Sequence, residues 1–272
     1  MSSILHKIAD SVRSRLEERK ARVSPLELAR RCERARTPHP FRDVFGGLGT
    51  HVIAEIKFTS PALGALSAGS DQAALEMAGT YLKNGAAAIS ILTEQDHFHG
   101  RIEYLESVRA AYPRAVLLQK DFVVDPYQLA EARVAGADAA LLIVALLGEA
   151  KTRELLAECR RLGLGALVEV HDEDEFGIAS RVGADLIGVN NRNLKTLEIS
   201  LETSFRLAAL KPPGARLISE SGLGAGKELR RLREAGYSGF LIGTSLMKTG
   251  EPGQALGRLI AEAQEAEEAE GQ

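Results

Sequence analysis

Charged side chains that could transfer protons stand at the ends of apolar runs in this sequence. The run "HVIAEIK" contains Glu55 and Lys57, and the run "LLQK" ends in Lys120, which Asp121 follows. A buried ammonium without a partner is heavily penalised, so Lys120 is a solvated strand end, a member of an ion pair or a catalytic acid. A lysine and a carboxylate held together could perform general acid–base chemistry.

Three later apolar runs end in the same way, with the side chains Glu169, Asn190, Arg192, Glu220 and Ser221. Because Glu169 lies between two valines, and carboxylates are rarely buried alone, it is expected to have a partner. Asn190 and Asn191 are also open to a simpler interpretation as turn residues after a strand. Residues of several different catalytic types therefore lie at the ends of different strands, which favours an enzyme.

The alternation of apolar runs with amphipathic segments predicts the fold. Strands are expected to start near Val52, Ala87, Ala115, Ala139, Ala166, Leu186, Arg216 and Phe240. The runs are apolar on both faces, which is typical of parallel strands covered by helices. Eight such βα repeats predict an α/β fold, a (β/α)8 TIM barrel, with an open doubly wound sheet as the alternative.

The segments outside these repeats complete the predicted domain organisation. Residues 1–45 precede the first strand and are expected to form an N-terminal helical extension packed on the barrel. The barrel is expected to occupy 46–265, and 266–272 form an acidic tail, so that 1–272 make a single domain.

Two glycine-containing loops, "SESGLGAGKE" and "IGTSLMKTGEPG", follow the last two predicted strands. Barrels often bind phosphate between these loops and the N-terminus of a short extra helix. The candidate ligands are the backbone N–H groups of Gly222, Gly243 and Thr244, with the hydroxyls of Ser221 and of Thr244 or Ser245. Glycine turns with a purely structural role are the alternative.

Composition argues against several other kinds of function. The 34 basic and 37 acidic residues are interspersed, which leaves no basic patch for nucleic acid. No signal peptide or membrane span is evident, so a cytoplasmic protein is expected. Cys32 and Cys159 are too few for a disulfide framework or a thiolate metal site. No third ligand accompanies His97 and His99, His171 is equally isolated, and we assign no metal.

The motifs "AEIKFTSP", "LLQKDFVVDPYQ", "ALVEVHDEDE", "IGVNNRNLKTLE", "ISESGL" and "FLIGTSLM" together resemble the indole-3-glycerol-phosphate synthase family over nearly the whole chain. The resemblance implies a TIM barrel with an added N-terminal helical segment and a lyase that needs neither metal nor organic cofactor. It also implies the reaction, a step of tryptophan biosynthesis. The indole ring of 1-(2-carboxyphenylamino)-1-deoxyribulose 5-phosphate is closed, with release of carbon dioxide and water.

The resemblance also implies catalytic roles. Lys120 would protonate the ribulosyl carbonyl, while Lys57 and Glu169 would serve as acid and base in the loss of water. The sequence leaves open which lysine acts at which step. Glu55 would orient Lys57, and Glu220 would bind the sugar hydroxyls or balance the lysine charges.

The same resemblance implies substrate contacts. Asn190 and Arg192 would face the anthranilate part and its carboxylate, because a guanidinium binds a carboxylate at two points. Ser60 and Phe98 match positions near the substrate loop and the aromatic ring. The family usually has a form like "SPSKG" where this chain has "SPALG", so the first βα loop is expected to move or bind differently.

Alternatives and partners follow from the same residues. A phosphoribosylanthranilate isomerase would need a Cys–Asp pair at strand ends, where neither Cys32 nor Cys159 lies. A pentose-phosphate epimerase would need Asp and His around a metal, which the strand ends do not supply. The third alternative is an inactive barrel that only binds partners, and Lys57, Lys120 and Glu169 argue against it. A small phosphorylated substrate is expected, with other tryptophan-pathway enzymes as further partners and a monomeric state.

Overall fold

The computed structural model describes residues 4–60, 64–65, 69–194 and 196–269 of the 272-residue chain. Eight parallel strands form a closed barrel in which each strand pairs with its neighbours in chain order and the last pairs with the first. The strands are β1 Val52–Ile56, β2 Ala88–Leu92, β3 Leu117–Lys120, β4 Ala139–Ile143, β5 Gly165–Val170, β6 Leu186–Asn190, β7 Arg216–Glu220 and β8 Tyr237–Ile242. The predicted (β/α)8 barrel is confirmed.

Helices precede, separate and follow the strands and cover the outside of the barrel. They are α1 Ile4–Arg22, α2 Pro25–Arg34, α3 Asp71–Lys83, α4 Ile102–Ala111, α5 Pro126–Ala135, α6 Val144–Leu162, α7 Glu173–Arg181, α8 Glu202–Ala208, α9 Gly226–Glu234, α10 Thr244–Met247 and α11 Pro252–Ala269. Several end in a glycine with positive φ, such as Gly136 at +93° after α5, because glycine adopts the left-handed conformation at no steric cost. These glycine ends set the tight turns from which the next strand starts.

One predicted strand boundary is wrong. The eighth strand begins at Tyr237 rather than near Phe240, because the pairing with β7 shifts register between Tyr237 and Gly239. Gly239 sits where a Cβ would lie only 2.8 Å from the Phe45 ring. The "AGYSG" segment therefore contains a bulged strand start where the sequence suggested only a turn.

The end of the barrel formed by the amino ends of the strands is filled by apolar side chains. Phe41 and Phe45, in a short 3₁₀ helix at Phe41–Phe45, pack edge to face with ring centroids 5.3 Å apart. They join an interior cluster that includes Ile53, Leu141 and Leu167. The opposite end, where the strands have their carboxyl ends, is the open one.

The two N-terminal helices pack against the third βα unit of the barrel. Ile8 and Val12 of α1 share an apolar cluster with Val124, and the Tyr127 hydroxyl donates to the carbonyl oxygens of Arg19 and Val23, at 3.1 and 2.8 Å. α1 therefore lies close to the open end of the barrel.

The domain boundaries at residues 45 and 265 stay a prediction. Within the described ranges, none of the helices combines the length and apolarity needed to cross a membrane.

Candidate active site

A cavity of about 630 Å³ opens at the carboxyl ends of the barrel strands. Nearly all of the side chains and glycines predicted from the sequence line it, namely Glu55, Lys57, Phe98, Lys120, Glu169, Asn190, Arg192, Glu220, Ser221, Gly222, Gly243 and Thr244. Ser60 lies in a short antiparallel hairpin, Thr59–Ser60 with Gly64–Ala65, that follows β1. Residues 62 and 63 of "SPALG" lie outside the described residues, so the expected difference in this loop stays a prediction.

Glu55 and Lys57 form a buried ion pair on one face of the first strand. Their Oε1 and Nζ atoms are 2.5 Å apart, as expected for residues two apart in an extended chain. Burial favours the protonated form of Glu55, but the charges of Lys57 and Lys120 outweigh it and lower the pKa of Glu55. Glu55 is therefore an ionised partner that fixes the direction of the Lys57 ammonium.

Lys120 belongs to a network of ion pairs and is not a solvated strand end. Its Nζ lies 3.1 Å from Glu169 Oε2 and 3.5 Å from Glu220 Oε2. Burial alone would lower the pKa of Lys120, yet Glu169, Glu220 and Glu55 together raise it above its ordinary value. Asp121 is occupied elsewhere, since it accepts hydrogen bonds from Thr93 Oγ1 at 2.5 Å and from the Phe122 N–H at 2.7 Å.

The two carboxyl groups that flank Lys120 are held in different protonation states. Burial favours the neutral form of both, but for Glu169 it is outweighed by Lys120 and His171, which keep its pKa well below the usual range. For Glu220, burial and the neighbouring Glu169 outweigh Lys120 and raise the pKa to about 8. A carboxylate and a carboxylic acid thus stand on either side of one ammonium near neutral pH, which is typical of sites with separate acid and base roles.

Two glycines make room for these buried carboxyl groups. A Cβ at Gly188, inside β6, would lie 2.1 Å from Glu220 Oε1, and one at Gly243 would lie 2.5 Å from Glu55 Oε1. Glycine inside a strand often marks such a close approach. Gly243 was predicted to bind phosphate, whereas Gly188 was not predicted, although the position of Gly188 within "LIGVN" was a usable signal.

The substitution Gly243→Ala should lower kcat/KM by about tenfold or more if Glu55 has the predicted catalytic role, because the new methyl group must displace the Glu55 carboxylate. Steady-state kinetics measure the loss, and circular dichroism checks the fold. Gly177→Ala in α7 is the matched control, since its Cβ would meet only the end of the flexible Arg181 side chain, at 3.1 Å. Equal activity of the two variants would contradict this account of Gly243.

The loop after β7 has an unusual backbone that a buried amide supports. Ser221 has φ +68° and Gly222 has φ +79°, and a left-handed conformation is uncommon for a residue with a side chain. Asn191 Nδ2 donates to the carbonyl oxygens of Glu220 and Ser221, at 3.0 and 3.1 Å, and its Oδ1 accepts from the Ser204 N–H at 3.1 Å. Asn191 is thus a buried anchor for this loop and more than a turn residue.

The loop after β8 leads directly into the short helix α10. Gly243 precedes its first residue, Thr244, and the first N–H groups of a helix have no acceptor within it. The hydroxyl of Ser245 donates to the Leu223 carbonyl oxygen at 2.7 Å. Of the two hydroxyls considered for an anion, that of Thr244 is therefore the better candidate.

Arg192, which follows β6, and Phe98, which follows β2, also line the cavity. Asn190 Oδ1 accepts a hydrogen bond from the Arg192 N–H at 3.0 Å, and the Arg192 guanidinium donates to the Leu197 carbonyl oxygen at 3.2 Å. Phe98 faces Phe122, with ring centroids 6.0 Å apart. Phe122, which also lines the cavity, was not predicted, although it lies only two residues after Lys120.

The loop that carries Phe98 is fixed by a buried carboxylate. Glu94 accepts hydrogen bonds from the backbone N–H groups of Asp96, His97 and Phe98, at 2.9, 2.8 and 2.9 Å. The ring of His97 also contacts Glu94, at 3.2 Å. Within the described part of the chain, no three or more His, Cys, Asp or Glu side chains are grouped so that they could hold a metal ion.

Comparisons with known proteins decide the family. A family model described as indole-3-glycerol phosphate synthase matches residues 5–259. An indole-3-glycerol phosphate synthase of Koribacter versatilis is 45% identical over 96% of this chain and 100% of its own length. The chain belongs to the indole-3-glycerol phosphate synthase family. A second member of this family, from Salinibacter ruber, is 42% identical over 96% of both chains.

Solved structures outside the family agree on the fold. A 3-hexulose-6-phosphate synthase from Salmonella typhimurium superimposes with a TM-score of 0.63 at 11% identity, covering 78% of this chain and 99% of that chain. A structure described as native KDPGal has a TM-score of 0.61 at 17% identity, covering 82% of this chain and 98% of that chain. At such low identity these likenesses concern the barrel alone.

Proposed function

We propose that this protein closes the indole ring of 1-(2-carboxyphenylamino)-1-deoxyribulose 5-phosphate to give indole-3-glycerol phosphate, carbon dioxide and water, as in tryptophan biosynthesis. Membership of the family supports the reaction. The observation that carries the proposal is the position of Lys120, held between Glu169 and Glu220 inside the cavity. An ammonium placed there can protonate an oxygen on which negative charge develops.

In the first step, the ring carbon that bears the carboxylate attacks the ribulosyl carbonyl carbon, and Lys120 protonates the carbonyl oxygen. The new carbon–carbon bond forms as the carbonyl π electrons move to that oxygen. Loss of carbon dioxide then returns the electron pair of the broken bond to the ring and restores its aromaticity. The raised pKa of Lys120 keeps the ammonium charged until the substrate oxygen takes its proton.

In the second step, the hydroxyl group formed from the carbonyl leaves as water. A lysine ammonium, that of Lys57 or a reprotonated Lys120, donates the proton that the hydroxyl needs to leave. Glu169, which is ionised beside Lys120, accepts the proton lost from the neighbouring carbon as the indole double bond forms. Glu55 orients Lys57 through their 2.5 Å contact, and Glu220, 3.5 Å from Lys120 Nζ, binds the sugar hydroxyls.

The remaining cavity residues are proposed to bind the substrate. Arg192 binds the anthranilate carboxylate, and Asn190 positions the Arg192 backbone. The Phe98 ring contacts the substrate ring, Phe122 supports it, and Ser60 contacts the substrate from the first loop. The phosphate lies against the residues at the starts of the last two loops, Ser221, Gly222, Gly243 and Thr244.

The proposal extends to the setting of the enzyme. We propose a cytoplasmic monomer that uses neither metal nor organic cofactor and that meets other tryptophan-pathway enzymes through its substrate and product. The even mixture of acidic and basic residues supports a protein that does not bind nucleic acid. The single-domain organisation, with the boundaries given above, belongs to the same proposal.

Fluorescence of the indole product tests the function directly. Purified protein should convert the carboxyphenylamino ribulose phosphate, and turnover should be unchanged by EDTA. Phosphoribosylanthranilate and ribulose 5-phosphate serve as control substrates for the isomerase and epimerase alternatives. Absence of product would contradict the proposed function, and loss of turnover on chelation would contradict the metal-free mechanism.

Glu220 should make the stability of the protein depend on pH in a particular direction. Its pKa is raised to about 8 in the folded protein, so between its unfolded pKa and pH 8 the folded state retains a proton that the unfolded state releases. This group therefore lowers the free energy of unfolding as pH rises from its unfolded pKa toward 8.

The measurement is urea unfolding of the wild-type protein and of Glu220→Gln at pH 5 and pH 8. The free energy of unfolding of the wild type should fall relative to that of the variant over this interval. Since the other carboxyl groups are present in both proteins, their contributions largely cancel. Parallel pH dependence in the two proteins would contradict the raised pKa.

A further inference from the structure

His171 joins two carboxylates outside the set of side chains given catalytic roles above. It follows β5 directly, and its side chain is 9% exposed. Its Nδ1 lies 2.9 Å from Glu175 Oε2, and its Nε2 lies 3.3 Å from Glu169 Oε1. The ring therefore bridges the first turn of α7 and the carboxylate beside Lys120.

This geometry constrains the protonation of the ring. A neutral imidazole has one N–H group, so one of its nitrogens would turn a lone pair toward a carboxylate. Both contacts are favourable only when both ring nitrogens carry protons. Glu175 also accepts a hydrogen bond from the His171 backbone N–H at 2.8 Å.

Each of the two carboxylate oxygens of Glu169 contacts a different basic side chain, that of His171 or that of Lys120. Oε1 faces His171 at 3.3 Å, and Oε2 faces Lys120 at 3.1 Å. His171 Nε2 and Glu169 Oε1 lie within ion-pair distance, although the contact is not directed as a hydrogen bond. Without His171, Lys120 would remain as the cation next to Glu169, and the carboxylate could turn about its bond toward that lysine.

We propose that His171 is a positioning residue for the reaction proposed above, a buried imidazolium that holds the Glu169 carboxylate in place beside Lys120. The charge also matters to the substrate. Lys57, Lys120 and His171 are the cations of this network, and its acidic groups are Glu55, Glu169, Glu175 and Glu220. A neutral His171 would leave the network more negative toward a substrate that carries a carboxylate and a phosphate.

The electrostatic surroundings support a charged ring. Burial would lower the pKa of His171, but Glu169 and Glu175 outweigh burial and raise it to about 10. The further acidic groups near the ring are Asp172, which caps α7, and Glu220 and Glu55, which lie beyond Lys120. The positive charge of Lys120 disfavours protonation of the His171 ring, but Lys120 contacts the other oxygen of Glu169.

The first test needs no substrate, so its failure is distinguishable from a failure of the proposed function. The ¹⁵N chemical shifts of the His171 ring are measured in the wild-type protein from pH 6 to pH 9. Both nitrogens should stay in the protonated range throughout. A ring that becomes neutral near its ordinary pKa of about 6.5 would overturn the proposal.

The second test uses the pH dependence of turnover. His171→Gln should lower kcat by about tenfold, because a carboxylate displaced by less than 1 Å loses much of its effect, and should change KM by less than about twofold. With one cation removed, the pKa of Glu169 rises, so the acidic limb of the kcat profile should move to higher pH.

A variant and a control make the result specific. Glu175→Gln should move the acidic limb in the same direction, because it weakens the charge on His171, although Glu175 does not line the cavity. His39→Gln is the matched control, since His39 binds the Pro113 carbonyl oxygen, at 3.1 Å, far along the chain from these groups. An unmoved acidic limb in folded His171→Gln, with kcat unchanged, would overturn the proposal.

Discussion

Replacement of Lys120 by Met should lower kcat on the order of a thousandfold or more, because the proposed mechanism loses both its proton donor and the charge that stabilises the developing alkoxide. KM should change far less than kcat, since the proposed phosphate and carboxylate contacts remain. Single-turnover kinetics with the carboxyphenylamino substrate would separate the chemical steps from binding.

The fold should survive this substitution. Glu220 already has a raised pKa and can stay protonated, while Glu169 keeps its contact with His171. Lys211→Met is a suitable control, because that lysine donates to the Gly236 carbonyl oxygen at 3.0 Å and does not line the cavity. Near-normal turnover of a folded Lys120→Met protein would remove the central residue of the mechanism.

Replacement of Glu169 by Gln should lower kcat by about a hundredfold to ten-thousandfold, the range expected for loss of a general base. The amide keeps the size and shape of the side chain, so the cavity should be preserved. Lys120 should also lose part of the stabilisation of its charged form, because Glu169 is the closer of the two carboxyl groups that flank it, at 3.1 Å.

The pattern of intermediates distinguishes a base from a group that only balances charge. If Glu169 acts in the loss of water, Glu169→Gln should accumulate a decarboxylated intermediate that rapid quench and mass spectrometry can detect. Glu202→Gln, an exposed isosteric change at the start of α8, is the control. Full activity of Glu169→Gln would show that another group accepts the proton.

Much of the fold was predictable because its signals are local. Each strand is a short apolar run, and four of the runs follow a glycine that ends a helix-like segment, so the eight repeats could be located from the sequence. The start of β8 at Tyr237 was missed because a register shift depends on the neighbouring strand and on Phe45, which is remote in the chain. The hairpin after β1 likewise lacked a distinctive local pattern.

The charged part of the site was predictable for a related reason. Strand alternation places Glu55 beside Lys57, and the barrel brings Lys120, Glu169 and Glu220 to one end. The protonation states were not predictable, since Glu169 and Glu220 differ only in what surrounds them. Asn191 and His171 were set aside as a turn residue and an isolated histidine, because their partners Ser204 and Glu175 follow at spacings that signal nothing by themselves.

The apolar plug made by Phe41 and Phe45 has a consequence for how reactant and product share the enzyme. With that end of the barrel packed, the substrate enters and the indole product departs through the same opening, so one must vacate before the other can occupy the site. Product inhibition should accordingly be of the purely competitive kind, and accumulated product should slow turnover by excluding fresh substrate.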